Sequence, residues 1–134
     1  MRISKKTREL VRLKYGGLCA YTGKPLGDDW QVDHIKPLIR DFDGRPREEG
    51  RTGIENMIPA LKIVNHYKGG LDIETFRNWY LGGLHDRLRK LPKNPKAPAS
   101  IRKKRYLLEI AEAFDISKDK PFSGIFYFEK LELK

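Results

Sequence analysis

The sequence predicts an α+β fold, with a short strand in its first third, helices around that strand and a second strand at the C-terminus. The inner strand is predicted over 30–35, where apolar and polar residues roughly alternate. The clearest helix is predicted over 101–114, where apolar residues recur every three or four positions. The stretch 124–133 (GIFYFEKLEL) alternates again, which predicts a final strand that packs on that helix or extends a sheet.

Capping residues predict the other helices. Ser4 suits the N-cap of the first helix, and Asp72 suits the N-cap of the third. Pro59 suits the opening turn of the second helix, and Gly69-Gly70 suits its C-cap. These signals predict helices over 4–15, 59–68, 71–81 and 84–91.

The helix predicted over 71–81 carries an aromatic stripe. Ile73, Phe76 and Tyr80 share one face, and Trp79 lies beside them. Such a stripe forms either part of a core or a platform on which nucleic-acid bases stack. The core interpretation is favoured, because apolar residues at helical spacing are typical of a buried face.

Length and composition bound the class of protein. The 134 residues predict one domain over 1–134, with a motif core at about 18–70 and an extension at about 71–134. No apolar run approaches the ~20 residues of a membrane span, so no membrane association is expected. The basic N-terminus lacks the apolar run of a signal peptide. The single cysteine excludes an internal disulfide and is consistent with a cytoplasmic location.

The charge distribution favours a polyanionic partner. The net charge is +10 at pH 7, and basic residues cluster at 1–24 and 84–105, on both sides of the central stretch. Four arginines in the polar loop over 40–53 either contact nucleic acid too or belong to a plain connector. Cations in the first turn of the helix predicted over 101–114 oppose the helix dipole, which is easier to explain if they meet an anion. These candidate nucleic-acid contacts are Arg102, Lys103, Lys104 and Arg105.

The stretch from Gln31 to Lys68 carries the candidate chemistry. Hydrolysis of a phosphodiester requires a base that deprotonates water and a cation that neutralises charge on the phosphate and the leaving oxygen. His34 suits the base, because an imidazole titrates near neutrality. Asp33 and Asn65 are oxygen ligands, which favour Mg²⁺ or Mn²⁺ over Zn²⁺. Because strand neighbours point to opposite faces, Asp33 and His34 cannot both face one metal.

These residues resemble the HNH endonuclease family, whose fold is the ββα-metal motif. The resemblance covers about 18–70 and rests on VDHIKPL, on Asn56 and on NHYK at 65–68. It implies that His34 is the general base, that Asp33 is a metal ligand and that Asn56 orients the base.

The same resemblance implies roles for the helix that follows. The third residue of the family's motif comes nine positions after the middle Asn, which assigns the second metal ligand to Asn65 and not to His66. Lys68, three positions further on, is implied as a phosphate contact. The implied cofactor is one divalent metal ion, Mg²⁺ or Mn²⁺.

The chain departs from the family at its cysteines. Many HNH proteins bind a structural zinc through two Cys-x-x-Cys pairs, but here Thr22 stands where the partner of Cys19 would be. Leu61 and Val64 occupy the positions of the second pair. Structural zinc is therefore not expected, and we expect Cys19, Leu61 and Val64 to pack together instead.

The resemblance implies a metal-dependent endonuclease acting on DNA, of a kind common in bacteria and their viruses. Two other interpretations stay open. One is a nucleic-acid-binding module with a vestigial site, which would bind without cutting. The other is a ribonuclease or toxin-like nuclease with the same motif, because metal-assisted hydrolysis leaves the 2′-OH unused. The motif does not encode sequence specificity, nicking against double-strand cleavage, or the oligomeric state.

Overall fold

The computed structural model of the chain describes residues 3–36 and 53–132. In these ranges the chain forms helices and one two-stranded antiparallel sheet, which confirms the α+β class. None of the helices in these ranges is long and apolar enough to cross a membrane. The elements are α1 (Lys5–Leu13), β1 (Gln31–His34), a 3₁₀ turn (Ile54–Asn56), β2 (Met57–Ala60), α2 (Lys62–Lys68), α3 (Ile73–Thr75), a π-helix (Phe76–Leu81), α4 (Leu84–Arg89), α5 (Pro98–Ala113) and α6 (Tyr127–Glu132).

The sheet pairs β1 with β2, and Pro59 is part of it. β1 confirms the predicted inner strand, and Pro59 lies opposite Val32 in the antiparallel register. The predicted helix start at Pro59 is therefore wrong, because α2 begins at Lys62. Proline lacks the N–H that a strand interior would use, but its carbonyl is intact and accepts the N–H of Ala20 at 2.8 Å. The predicted C-cap holds, since Gly69 ends α2 with a φ of +58°.

The C-terminal segment is a helix, so the predicted final strand is wrong. The N–H of Phe126 donates to Glu129 Oε1 at 2.9 Å, and the carbonyl of Phe126 accepts the N–H of Glu129 at 3.0 Å. This reciprocal pair resembles a capping box and starts α6. Alternation of aromatic and charged residues carries no information about such a cap, which is why the pattern predicts a strand.

By its internal contacts, the chain divides into two compact units. The first unit comprises 1–73 with 126–134, and the second comprises 74–125. The single domain predicted over 1–134 stays a prediction. In the first unit, Val11, Trp30 and Met57 form a buried cluster between α1 and the sheet.

The second unit is built around α5 and the π-helix. The rings of Phe76 and Phe114 meet edge to face, with centroids 6.1 Å apart. Trp79 is 74% exposed and Tyr80 is 39% exposed, so the predicted core stripe is wrong for these two residues and right for Phe76, which is buried. The i→i+5 hydrogen bonds of a π-helix turn successive residues through a smaller angle than an α-helix does, which shifts them off the predicted stripe.

α5 starts earlier than its predicted range. Pro98 occupies the first helical turn, where its missing N–H costs nothing, and Ala97 is the N-cap. The predicted start at residue 101 is wrong by three residues. The basic run 102–105 consequently lies in the second turn, where the helix dipole opposes cations less.

Candidate active site

A buried ion pair lies between β1 and α2. Asp33 is 7% exposed and Lys68 is 2% exposed, and the Lys68 Nζ lies 3.2 Å from Asp33 Oδ2. The Tyr21 hydroxyl donates to the same carboxylate oxygen at 2.5 Å. The negative charge of Asp33 is thus balanced by the ammonium of Lys68, and the same carboxylate accepts a hydrogen bond from the neutral hydroxyl of Tyr21.

Tyr21 is held as a proton donor by its surroundings. Burial raises the pKa of the Tyr21 hydroxyl well above its usual value, and the negative charge of Asp33 raises the pKa further. The rings of Phe126 and Phe128 pack edge to face on Tyr21, with centroids 5.2 and 6.2 Å away. Tyr21 therefore stays protonated at neutral pH and keeps its hydrogen bond to Asp33.

Asn65 faces the same side of β1 as this ion pair. Its Nδ2 donates to Gln31 Oε1 at 2.7 Å. Gln31 and Asp33 are two residues apart on a strand, and Asn65 and Lys68 are three apart on a helix, so each pair shares a face. Because the nitrogen of Asn65 is used by Gln31, its Oδ1 is the atom suited to a cation. His66, one residue out of register, is exposed.

Asn56 binds the chain just beyond His34. Its Oδ1 accepts the N–H of Lys36 at 2.8 Å, and its Nδ2 donates to the carbonyl of Lys36 at 3.0 Å. Its own carbonyl accepts the N–H of Ile35 at 3.0 Å. Asn56 is 8% exposed and so makes these bonds largely out of water. Three bonds to two successive residues fix the backbone that leaves β1.

His34 ends β1 and lies opposite Met57 in the register. Strand alternation turns its imidazole away from the face that carries Asp33. Its carbonyl lies 3.3 Å from the Lys68 Nζ, which ties the end of the strand to α2. The site thus combines a carboxylate on one face of β1 with an imidazole on the other.

The donor types fit a hard divalent cation such as Mg²⁺. Asp33 offers a carboxylate and Asn65 offers an amide oxygen, and both face the space between β1 and α2. The ammonium of Lys68 already neutralises Asp33, so a cation bound there has to share that carboxylate or displace Lys68. Over the two described ranges, no group of three or more His, Cys, Asp or Glu side chains is gathered for a metal. Asp33 with Asn65 is a different kind of set, because it contains one carboxylate and one amide.

The predicted phosphate contacts lie in different environments. Lys68 is buried against Asp33, so it reaches a phosphate only after it leaves that carboxylate. Arg102, Lys103 and Arg105 are exposed on α5. Lys104 is half-buried, and its Nζ donates to the carbonyls of Pro92 and Lys93 at 2.9 and 2.7 Å. The role of each in nucleic-acid binding stays a prediction.

The positions that resemble the zinc-binding cysteines are mostly buried. Cys19 and Val64 are fully buried, and Leu61 is half-buried. The chain from residue 18 to residue 25 turns back on itself, with Leu18 and Pro25 forming an antiparallel bridge.

Two residues of this site, Gln31 and Tyr21, have no role predicted from the sequence. Gln31 could have been found, because it lies two positions before Asp33 on the same strand face. Tyr21 carries no such signal, since its contact with Asp33 joins positions 12 residues apart through a turn.

We compared the chain with protein-family models, with curated proteins and with solved structures. None of the three comparisons finds a match. The resemblance to HNH endonucleases therefore rests on the motif residues of the sequence alone.

Proposed function

We propose that the chain is a metal-dependent endonuclease that hydrolyses phosphodiester bonds in DNA, with an HNH-type ββα-metal core and a cytoplasmic location. His34 is the general base that activates water. Asp33 and Asn65 hold one divalent ion, Mg²⁺ or Mn²⁺. Asn56 positions the base, and Lys68 contacts the phosphate.

One observation supports this proposal most. Two antiparallel strands are followed directly by a helix, and Asp33, Asn65 and Lys68 all face the space between β1 and α2. Asn56 binds the two residues that follow His34, as a residue that orients the base would. The spacing of these five residues in the sequence and their arrangement around β1 agree with one another.

The metal, when bound, would neutralise charge on the scissile phosphate and on the leaving oxygen. The remaining work falls to the chain. The imidazole of His34 takes a proton from water. Asn56 fixes the backbone of the two residues after His34 and so helps to hold that imidazole in position. Lys68 balances the charge of Asp33, and it would contact the phosphate where a bound cation shares that carboxylate.

The direct test is nicking of supercoiled plasmid, with Mg²⁺ or Mn²⁺ and with chelator. His34→Ala is expected to lower the rate by about 10²- to 10⁴-fold, the usual contribution of a general base. His66→Ala is the matched control, because it removes an exposed imidazole from the next helix and should leave the rate unchanged. A loss of less than tenfold for His34→Ala, or equal losses for both variants, would contradict the assignment of the base.

A second function is favoured by the Asp33–Lys68 ion pair. A carboxylate that is already neutralised by a lysine also suits a nucleic-acid-binding module whose metal site is vestigial. Calorimetric titration with Mn²⁺ separates the two functions without any substrate. Binding that is lost in Asp33→Asn supports the nuclease, and no binding to either protein supports the module. RNA and DNA substrates compared in the cutting assay would separate a ribonuclease from a deoxyribonuclease.

A further inference from the structure

Two adjacent aromatic side chains are exposed in the second unit. Trp79 is 74% exposed and Tyr80 is 39% exposed, whereas the other tryptophan, Trp30, is 6% exposed. Scattered apolar residues on a surface need no explanation. A solvent-exposed tryptophan next to an exposed tyrosine, however, offers a large flat face to a ligand. The proposed nuclease site uses neither residue.

The backbone under these aromatics is constrained. The N–H of Gly82 donates to the carbonyl of Arg77 at 2.9 Å, the i→i+5 bond of a π-helix. A Cβ at Gly82 would lie 2.4 Å from the carbonyl oxygen of Asn78, so this turn requires glycine. The guanidinium of Arg87 donates to the carbonyls of Trp79 and Tyr80. π-Helical turns of this kind are rare and are frequent at functional sites.

A basic groove begins at Arg87. Its walls include Arg87 and Lys90 from around α4 and Lys103 from α5, above the apolar side chains of Leu91 and Leu107. Among the described residues that line this groove, three are cationic and none is acidic. Arg87 both lines the groove and binds the backbone carbonyls of Trp79 and Tyr80, so one end of the groove lies next to the segment that carries the exposed aromatics.

We propose that residues 74–125 carry a binding site for single-stranded nucleic acid. The sugar-phosphate backbone lies in the groove against Arg87, Lys90 and Lys103, and an unpaired base stacks on Trp79. A positively charged groove next to an exposed aromatic ring is the combination by which proteins bind single strands without sequence preference. A duplex hides the faces of its bases and would engage only the cations. This inference goes beyond the proposed cutting activity and does not depend on it.

Tryptophan fluorescence tests the stacking contact. The Trp30→Phe variant keeps Trp79 as its only tryptophan, and the Trp79→Phe variant keeps only the buried Trp30. Both are titrated with oligothymidylate of about ten nucleotides, within the usual site size of single-strand binding. We expect the emission of Trp79 to be quenched and that of Trp30 to change little. A duplex of the same length should quench Trp79 much less.

Affinity measurements in the presence of both tryptophans test how much the stacked base contributes to binding. By fluorescence anisotropy of labelled oligothymidylate, Trp79→Ala is expected to weaken binding by about 5- to 150-fold, and Trp79→Tyr is expected to restore most of it. Lys103→Gln should weaken binding and reduce the salt slope by about one. Lys120→Gln is the matched control, since it removes an exposed cation of the same unit outside this groove.

Each outcome decides for or against the proposal. All measurements use a His34→Ala background without metal, so the presence or absence of cutting does not affect them. If Trp79→Ala binds single strands as tightly as the His34→Ala parent, or weakens the binding of single strand and duplex equally, the stacking site is contradicted. Circular dichroism of each variant excludes unfolding as the cause of a loss.

Discussion

At the residue scale, the buried pair of Asp33 and Lys68 governs the candidate site. Two charges removed from water are stable together only when their attraction and their hydrogen bonds replace hydration. Here Lys68 supplies the attraction and Tyr21 supplies an additional hydrogen bond. Removal of the Lys68 ammonium or of the Tyr21 hydroxyl leaves the buried carboxylate of Asp33 less stabilised.

Lys68→Met tests the buried charge. It is expected to lower the free energy of unfolding by about 3–5 kcal/mol, because it leaves Asp33 buried without a counter-charge. Lys62→Met is the control, since Lys62 is an exposed lysine on the same helix and should change stability by less than about 0.5 kcal/mol. Denaturation by urea measures both, and addition of Asp33→Asn to Lys68→Met should recover part of the loss. Equal effects of the two lysine substitutions would contradict a buried pair.

Tyr21→Phe should lower stability in a pH-dependent manner. Near pH 8 it is expected to cost about 1–3 kcal/mol, because the buried carboxylate of Asp33 loses a donor. Above the ordinary pKa of tyrosine, 10.0, the unfolded state releases the Tyr21 proton while the native state keeps it. The stability of the unchanged protein then falls by up to about 1.4 kcal/mol per pH unit from this group, and that of the variant does not.

Urea denaturation of both proteins from about pH 8 to pH 11 measures this prediction, with Tyr80→Phe as the control at an exposed tyrosine. The difference between the unchanged protein and Tyr21→Phe should narrow above about pH 10. A difference that stays constant over that range would show that burial and Asp33 do not hold the proton on Tyr21.

At the element scale, helix ends decide where the site residues lie. α2 carries Asn65 and Lys68 and stops at Gly69, which has φ +58° and ψ −140°. A side chain adopts this conformation only with strain, so glycine is required there for a backbone reason. If the helix continued, the chain could not turn away after Lys68.

Gly69→Ala tests this helix end. It is expected to lower the free energy of unfolding by about 1–3 kcal/mol, the usual cost of a side chain held in such a conformation. Gly70→Ala is a close control, because a Cβ at either glycine meets no atom within 4 Å but only Gly69 has a positive φ. Thermal denaturation of both variants gives the comparison. Equal destabilisation would show that the backbone at Gly69 adapts without strain.

At the scale of the whole molecule, the net charge is +10, but several cations near the N-terminus already contact other groups of the protein. In α1, Arg12 pairs with Glu9 at 2.7 Å, and Lys14, the C-cap of that helix, donates to the carbonyls of Ile54 and Met57. Arg8 lies over the ring of Trp30, 4.0 Å from its centroid. The predicted basic face of α1 therefore serves partly to hold the first unit together.

Salt dependence distinguishes these two kinds of cation. Binding of duplex DNA should weaken with salt, with a logarithmic slope of about −0.9 for each phosphate neutralised. Arg102→Gln removes an exposed cation of α5 and should reduce the slope by about one. Arg12→Gln removes a cation paired with Glu9 and should leave the slope unchanged. A flat salt response of the unchanged protein would contradict electrostatic binding altogether.

Local pattern was sufficient for part of the fold. Alternation located β1, the Ser4 cap located the start of α1, and the glycine after Lys68 located the end of α2. These features depend on residues within a few positions of one another, so a sequence contains them directly. The order and spacing of the candidate site residues, from Asp33 to Lys68, are likewise properties of the sequence.

What only the tertiary structure decided depends on residues far apart in the chain. The pairing of Pro59 with Val32 made a strand from a segment with the turn chemistry of a helix start. The partners of Asp33 and the exposure of Trp79 depend on which elements pack against each. Packing and burial energies exceed local propensity and join distant positions, so the residue types and their spacing predicted a site, whereas the fold determined what each side chain contacts.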